Sequence, residues 1–166
     1  MADRILDEVV LDQEEDTQKG KYLTFNLGNE FYGIEIKFVT EIIGLQPITE
    51  VPELPDYIRG IINLRGKIIP VMDVRTRFKK PQLAYNDRTC VIVIDIAENS
   101  IGLIVDSVSE VLAIPETDIV PPPEVSSGGN RYIKAIGKVE NTVKLILDCD
   151  ALINEEEVKI ITAAVE

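Results

Sequence analysis

Residues Tyr22–Ile43, YLTFNLGNEFYGIEIKFVTEII, and Val91–Leu112, VIVIDIAENSIGLIVDSVSEVL, align without a gap at an offset of 69. Gly33 falls on Gly102, Val39 on Val108 and Glu41 on Glu110. Further on, Tyr57–Asp73, YIRGIINLRGKIIPVMD, lies over Tyr132–Asp148, YIKAIGKVENTVKLILD, at an offset of 75. The six additional residues fit a loop insertion near Ser126–Arg131, SSGGNR. Strand-like runs, turn residues and charges recur in the same order in both copies. The chain therefore reads as an internal duplication.

Each copy predicts a small β unit. Tyr22–Leu27 and Phe31–Ile36 flank Gly28-Asn29-Glu30, a hairpin signal with a glycine-containing loop. Phe38–Ile43 is a further short apolar run. Pro47, Pro52 and Pro55 mark a loop that no central strand carries. Asp56 is placed to cap a helical turn over Tyr57–Leu64. Lys67–Val74 returns as a strand, with Pro70 pointing to an edge or a bulge. Five short strands per copy suit a small closed barrel, which removes exposed edges. With 24 Ile and 17 Val among 166 residues, the composition favours strands.

The two ends differ from this pattern. Residues 1–18 are acidic and poor in apolar residues, which predicts a flexible tail that adds little to stability. Residues 19–166 form the folded domain: a first repeat over about 21–80, a second over about 88–150, and a helix over about 154–165. For that helix Asn154 is the N-cap and Glu157 occupies the capping-box position. Val158, Ile161 and Val165 make its apolar stripe.

Composition excludes several chemistries. The chain has no His, so the usual general base near neutral pH and the commonest metal ligand are absent. Cys90 and Cys149 are too few for a disulfide framework and read as buried strand residues. No phosphate-binding loop, dinucleotide fingerprint or metal-ligand cluster is present. No run approaches the ~20 apolar residues of a membrane span, and the N-terminus lacks a signal-peptide core. The expectation is a cytoplasmic protein without cofactor. The net charge is −12, yet Arg59–Lys80 holds seven bases against Asp73 alone. Without an overall basic balance or aromatic platforms, this island points away from nucleic acid. It is either a solvated strand face or a patch that meets an acidic protein surface. Asp73 and Asp148, at equivalent repeat positions, read as aspartates capping turns rather than as a catalytic carboxylate pair.

YIRGIINLRGKIIPVMDVRTRF, with FNLGNEFYGIEI upstream and GLIVDSVSEVL downstream, resembles the CheW family of bacterial chemotaxis coupling proteins. The most specific piece is NLRG-x-I-x-P-x-x-D, Asn63–Asp73, in combination with the LG-x-x-x-YGI hairpin. The resemblance runs from about Lys21 to the C-terminus. It implies a mainly β fold of two intertwined five-stranded SH3-like barrels, related by a pseudo-two-fold duplication, with short helices and a C-terminal helix. It also implies a non-catalytic adaptor linking the cytoplasmic tips of transmembrane chemoreceptors to the regulatory domain of the histidine kinase CheA. Such an adaptor is recruited to receptor arrays at the inner face of the membrane, does not insert into it, and is monomeric in isolation.

The resemblance places receptor-facing or coupling residues at Val39, Glu41, Gly60, Arg65 and Val111. Kinase-facing residues are expected among exposed apolar side chains at strand ends of the first barrel, such as Ile43, Leu45, Val51 and Ile69. Gly60, inside the expected helical turn, reads as a point of close approach for a partner helix, because its repeat counterpart is Ala135. Arg65 falls on Glu140 whereas Glu41 falls on Glu110, so only the first copy has a base there. That asymmetry points to partner recognition, with Glu41 the nearest carboxylate for Arg65 within its own barrel.

Overall fold

The computed structural model describes residues 19–96, 98–123 and 131–165. The expected acidic tail, residues 1–18, and most of the expected insertion loop lie outside the described residues. The first copy supplies β1 (Lys21–Leu27), β2 (Glu30–Glu35), β3 (Val39–Gly44), β4 (Ile58–Leu64), β5 (Lys67–Asp73) and the single-turn helix α1 (Val74–Arg77). The second supplies β6 (Cys90–Ile96), β7 (Asn99–Val105), β8 (Ser107–Ala113), β9 (Ile119–Val120), β10 (Ile133–Val139), β11 (Thr142–Leu147) and the single-turn helix α2 (Cys149–Leu152). Helix α3 (Glu155–Val165) follows.

The sheets do not follow the repeat boundaries. One sheet runs β8-β1-β2-β11-β10-β9 and the other β3-β6-β7-β5-β4. Each copy lends its N-terminal hairpin to the other: β1–β2 complete the sheet of the second copy, and β6–β7 complete that of the first. The registers carry the repeat offsets through. Val71 pairs with Gly102 where β5 meets β7 in parallel, and Ile146 pairs with Gly33 where β11 meets β2 in parallel. A residue pair in one sheet thus maps onto a pair in the other by the offsets of 75 and 69. The bulge in β3 opposite β6 likewise recurs in β8 opposite β1.

Both sheets return on themselves. Past the end of β3, Thr49 bridges Ile61 of β4 through two backbone hydrogen bonds of 2.9 Å. Past the end of β8, β9 pairs with Ile136 and Gly137 of β10. The edge strand and the segment that closes onto the opposite edge are consecutive in the chain. This is how the free edges of a short sheet are removed. Each closed sheet has its own small core: Ile62, Ile69, Val71, Val91, Val93 and Ile104 in the β3–β7 barrel, and Tyr22, Ile114 and Ile146 in the other. The largest cluster lies between them and includes Phe25, Met72, Ile92, Leu103 and Leu147. Burying such side chains contributes about 1.5–3 kcal/mol each.

Four expectations need correction. Tyr57–Leu64 is not a helical turn; residues 58–64 form β4, antiparallel to β5. Burial of Ile58, Gly60 and Ile62 has the period of two that a strand requires. Asp56 therefore caps no helix there. Pro70 is not on an edge, because β5 lies between β7 and β4. It is tolerated because the ladder to β7 begins one residue later, at Val71, so its missing N–H removes no bond on that side. Finally, Cys149 is buried in α2 rather than in a strand, and Cys90 is half-buried at the start of β6; both are free thiols.

Candidate functional site

Arg65 occupies the two-residue loop between β4 and β5, where Leu64 pairs with Lys67. Arg65 and Gly66 both have positive φ, 53° and 87°, the requirement of a tight hairpin turn. Asn63 fixes the loop by accepting a hydrogen bond from the Gly66 N–H at 2.7 Å. The turn sends the Arg65 side chain back over β3, where its two terminal nitrogens donate to both oxygens of Glu41 at 2.7 and 2.8 Å. The guanidinium holds the Glu41 carboxyl below the usual carboxylate range, chiefly through these hydrogen bonds. Arg65 remains 70% exposed, so the fork is presented to solvent as a preformed feature. The expected pairing of Arg65 with Glu41 is thus present.

In the other barrel the equivalent hairpin loop carries Glu140, again at positive φ, 54°. Its equivalent of Glu41 is Glu110 on β8, and both Glu110 and Glu140 are exposed. Duplication has therefore produced one mouth with an ion pair and one with two carboxylates.

Val39 opens β3 and is half-buried against the central cluster. Val111 is exposed on β8. Its repeat equivalent is Ile42 on β3, which is also exposed. Ile68 and Val143 form a second pair of exposed equivalents, on β5 and β11. Ile42, Ile68 and Val143 were not singled out from sequence; applying the offset of 69 to Val111 would have found Ile42.

Gly60 belongs to the scaffold and not to a docking surface. A Cβ there would lie 2.2 Å from the Thr49 carbonyl oxygen, and φ is +149°. The close approach inferred from sequence is real, but the approaching chain is the protein's own closing segment. Ala135 is no counterexample: the other barrel closes at the equivalent residue, Ile136, but Ala135 does not share the positive φ of Gly60.

Among the expected kinase-facing residues, Ile69 is 1% exposed and sits in the small core of the β3–β7 barrel, so it presents nothing to a partner. Its side chain alternates inward from exposed Ile68. Ile43 and Leu45 are half-buried against that same core. Val51 is half-buried in the proline-marked loop.

The basic island is largely consumed within the molecule. Arg75, nearly buried, forks onto Asp106 with bonds of 2.6 and 2.7 Å, and Asp106 also accepts from the Gly28 N–H at 2.7 Å. Arg77 pairs with Glu157 at 3.0 Å and donates to the Leu152 carbonyl at 2.8 Å. Lys80 pairs with Glu30, and Lys67 donates to the Ser100 hydroxyl at 2.9 Å. These contacts, with Arg65–Glu41, tie hairpins and helices together.

The carboxylates at Asp73 and Asp148 are helix caps, as expected. Asp73 accepts from the backbone N–H groups of Arg75 and Thr76, and from the Tyr85 hydroxyl at 2.8 Å. Asp148 accepts from the N–H groups of Asp150 and Ala151. Among the described residues no group of three or more Cys, Asp or Glu side chains is arranged to hold a metal ion.

Residues 21–157 match the family of CheW-like domains. The chain is similar to the chemotaxis protein CheW of Klebsiella aerogenes, 35% identical over 142 residues that cover 85% of this chain and 86% of the relative. It is similar to the chemotaxis protein CheW of Bacillus subtilis, 34% identical over 137 residues, 82% of this chain and 88% of the relative. Among solved structures, the scaffolding protein TtCheW from Thermoanaerobacter tengcongensis superposes with a TM-score of 0.77 at 37% identity, covering 83% of this chain and 94% of that one.

Proposed function

This chain belongs to the CheW family of chemotaxis scaffolding proteins, which are not catalysts, and on that premise we propose that it joins the cytoplasmic tips of chemoreceptors to the regulatory domain of the histidine kinase CheA. An adaptor needs surface rather than chemistry, roughly 500–800 Å² per partner. The observation that supports the reading most is the solvent-facing Arg65–Glu41 fork, which only one of two otherwise equivalent barrels possesses. Folding of a duplicated barrel does not require that difference, whereas recognition of two unlike partners does.

In this reading Val39, Glu41, Arg65 and Val111 face the receptor, and Gly60 serves them indirectly by closing the barrel that carries Arg65. Ile43, Leu45 and Val51 border the kinase contact. The site of action is the cytoplasmic face of the membrane. Among the described residues no helix is long and apolar enough to cross a membrane.

The test is binding of the purified chain to two immobilised probes: a receptor signalling-tip fragment and the regulatory domain of CheA. Binding to both, with a ternary complex that neither pair accounts for, is expected. Failure to bind either one overturns the adaptor reading. Arg65→Ala is expected to weaken one of the two contacts while the fold is kept, with Arg65→Lys restoring it only in part, because Lys lacks the two-pronged geometry.

A further inference from the structure

The hairpin tips at the two barrel mouths are built from different turns. Leu64 pairs with Lys67 and Val139 with Thr142, so each hairpin closes over two residues. Arg65 and Gly66 both take positive φ, 53° and 87°, the pattern of a type I′ turn. In the second barrel Glu140 takes positive φ, 54°, and Asn141 does not. The loops have equal length, so the difference lies in their residues. A Cβ on Gly66 would meet nothing within 4 Å, so this glycine serves conformation and not space. Asn63 completes the turn, its Oδ1 accepting from the Gly66 N–H at 2.7 Å. The offset of 75 puts Lys138 where Asn63 stands, and a lysine has no acceptor to offer the Asn141 N–H.

The first tip is also tied down from the side. Lys67 Nζ donates to the Ser100 hydroxyl at 2.9 Å, and Ser100 donates to Asp95 at 2.8 Å. The repeat equivalents of Lys67, Ser100 and Asp95 are Thr142, Phe31 and Asn26, and the phenyl ring breaks that chain of hydrogen bonds. What the first tip carries is an arginine that is 70% exposed and yet held by two prongs on Glu41. A long exposed side chain loses rotamer freedom when a partner engages it. A turn that aims it in advance removes part of that cost.

We propose that Asn63 is a positioning residue for partner recognition: by capping the Gly66 N–H it selects the turn that lays Arg65 across β3 onto Glu41, and so presents the guanidinium in a fixed orientation. Asn63 acts through Arg65 and has no need to touch the partner. The proposal rests on the adaptor reading for what Arg65 meets, and adds what holds Arg65 ready.

The test compares Asn63→Leu, which removes the acceptor, with Asn63→Asp, which keeps it, both in the full chain. The Glu41 carboxyl is titrated by carbon-detected NMR in the free protein, and binding to a receptor signalling-tip fragment and to the regulatory domain of CheA is measured beside it. In the parent, Glu41 titrates below the usual carboxylate range. With Asn63→Leu it is expected to return toward that range, and affinity for the partner that Arg65 engages to fall about fivefold, the size of one net hydrogen bond. The unfolding midpoint stays within about 2 °C of the parent, since Asn63 is exposed. Asn63→Asp is expected to restore both the Glu41 titration and most of the affinity. Gly66→Ala, strained at φ 87° but free of overlap, is expected to behave as Asn63→Leu does. An unchanged Glu41 titration in Asn63→Leu overturns the positioning role; if binding is lost all the same, Asn63 is a contact residue instead. A parent chain that binds neither probe overturns the adaptor reading, and the Glu41 titration, which needs no partner, still decides the role of Asn63.

Discussion

Replacing Gly60 by alanine tests the closure of the β3–β7 barrel. The added Cβ would meet the Thr49 carbonyl oxygen at 2.2 Å, the Thr49 carbonyl carbon at 2.8 Å and Ile48 Cγ2 at 2.9 Å. The first two are backbone atoms, so no side-chain rotation relieves the overlap, and the closing segment has to move away from β4. That movement breaks the two Thr49–Ile61 hydrogen bonds, each contributing about 0.5–1.5 kcal/mol net. An L-residue at φ +149° adds backbone strain of about 1–3 kcal/mol. The sum is about 2–6 kcal/mol. At about 2–4 °C per kcal/mol for a chain of this size, the unfolding midpoint is expected to fall by about 4–24 °C. Thermal unfolding followed by circular dichroism reads the midpoint. Amide exchange localises the damage: the Ile61 and Thr49 amides lose protection first, while Ile92, in the centre of the sheet, keeps it. A midpoint within about 2 °C of the parent, with Ile61 still protected, would refute the steric argument and return Gly60 to the surface as a recognition residue.

Other perturbations are as direct. Arg65→Ala should leave the unfolding midpoint within about 2 °C of the parent, since a solvent-exposed ion pair adds little, while changing partner affinity in the binding assay. Arg75→Ala takes the guanidinium from Asp106 and unties α1 from the β7–β8 turn; a loss of about 2–4 kcal/mol is expected in denaturant titration, below the full value for a wholly buried pair because Asp106 is partly exposed. The Arg75 guanidinium, by hydrogen bonding, and the Gly28 N–H lower the Asp106 pKa. The stability this contributes is therefore complete above the unfolded value of about 3.9 and is lost as pH falls through the lower folded value. Asp106→Asn should remove that part of the acid dependence of the midpoint. Burial pushes the Cys149 thiol up to about 12, so a thiol reagent at pH 8 should label Cys90 well before Cys149, and Cys149 only on unfolding.

The duplication was legible because glycine and charge positions survive in both copies, and the offsets read from sequence reappear as strand registers at Gly33, Gly102, Val71 and Ile146. The exchange of hairpins between copies was not legible from pattern alone. A hairpin signal fixes local pairing, but which third strand accepts it is decided by long-range packing; only the family resemblance spoke of intertwining. Tyr57–Leu64 misled because a glycine and a preceding aspartate imitate a capped turn, whereas the deciding fact, the bridge to Thr49, lies outside any local window. At the candidate site, Arg65 and Glu41 were legible because the two copies differ there. Ile69 was misplaced because composition does not tell which of two adjacent isoleucines faces inward. The basic island dissolved for a similar reason: the acids that neutralise Arg75 and Arg77 come from 31 and 80 residues further along the chain.

The exchanged hairpins also set a timetable. Every strand of the β3–β7 sheet lies between residues 39 and 105, enclosed in the chain by strands of the other sheet, which needs both β1 and β11. On a ribosome the inner barrel has all its strands once Val105 has emerged. Until β8 and β11 follow, the β1–β2 hairpin waits with both edges unpaired, a template for any extended chain nearby. Pairings of such sequence separation are slow to form. Synthesis arrested just after Val105 should therefore give a nascent chain whose inner barrel resists protease while its first hairpin is cut, and the interval between residues 105 and 147 is when this protein is most exposed to aggregation.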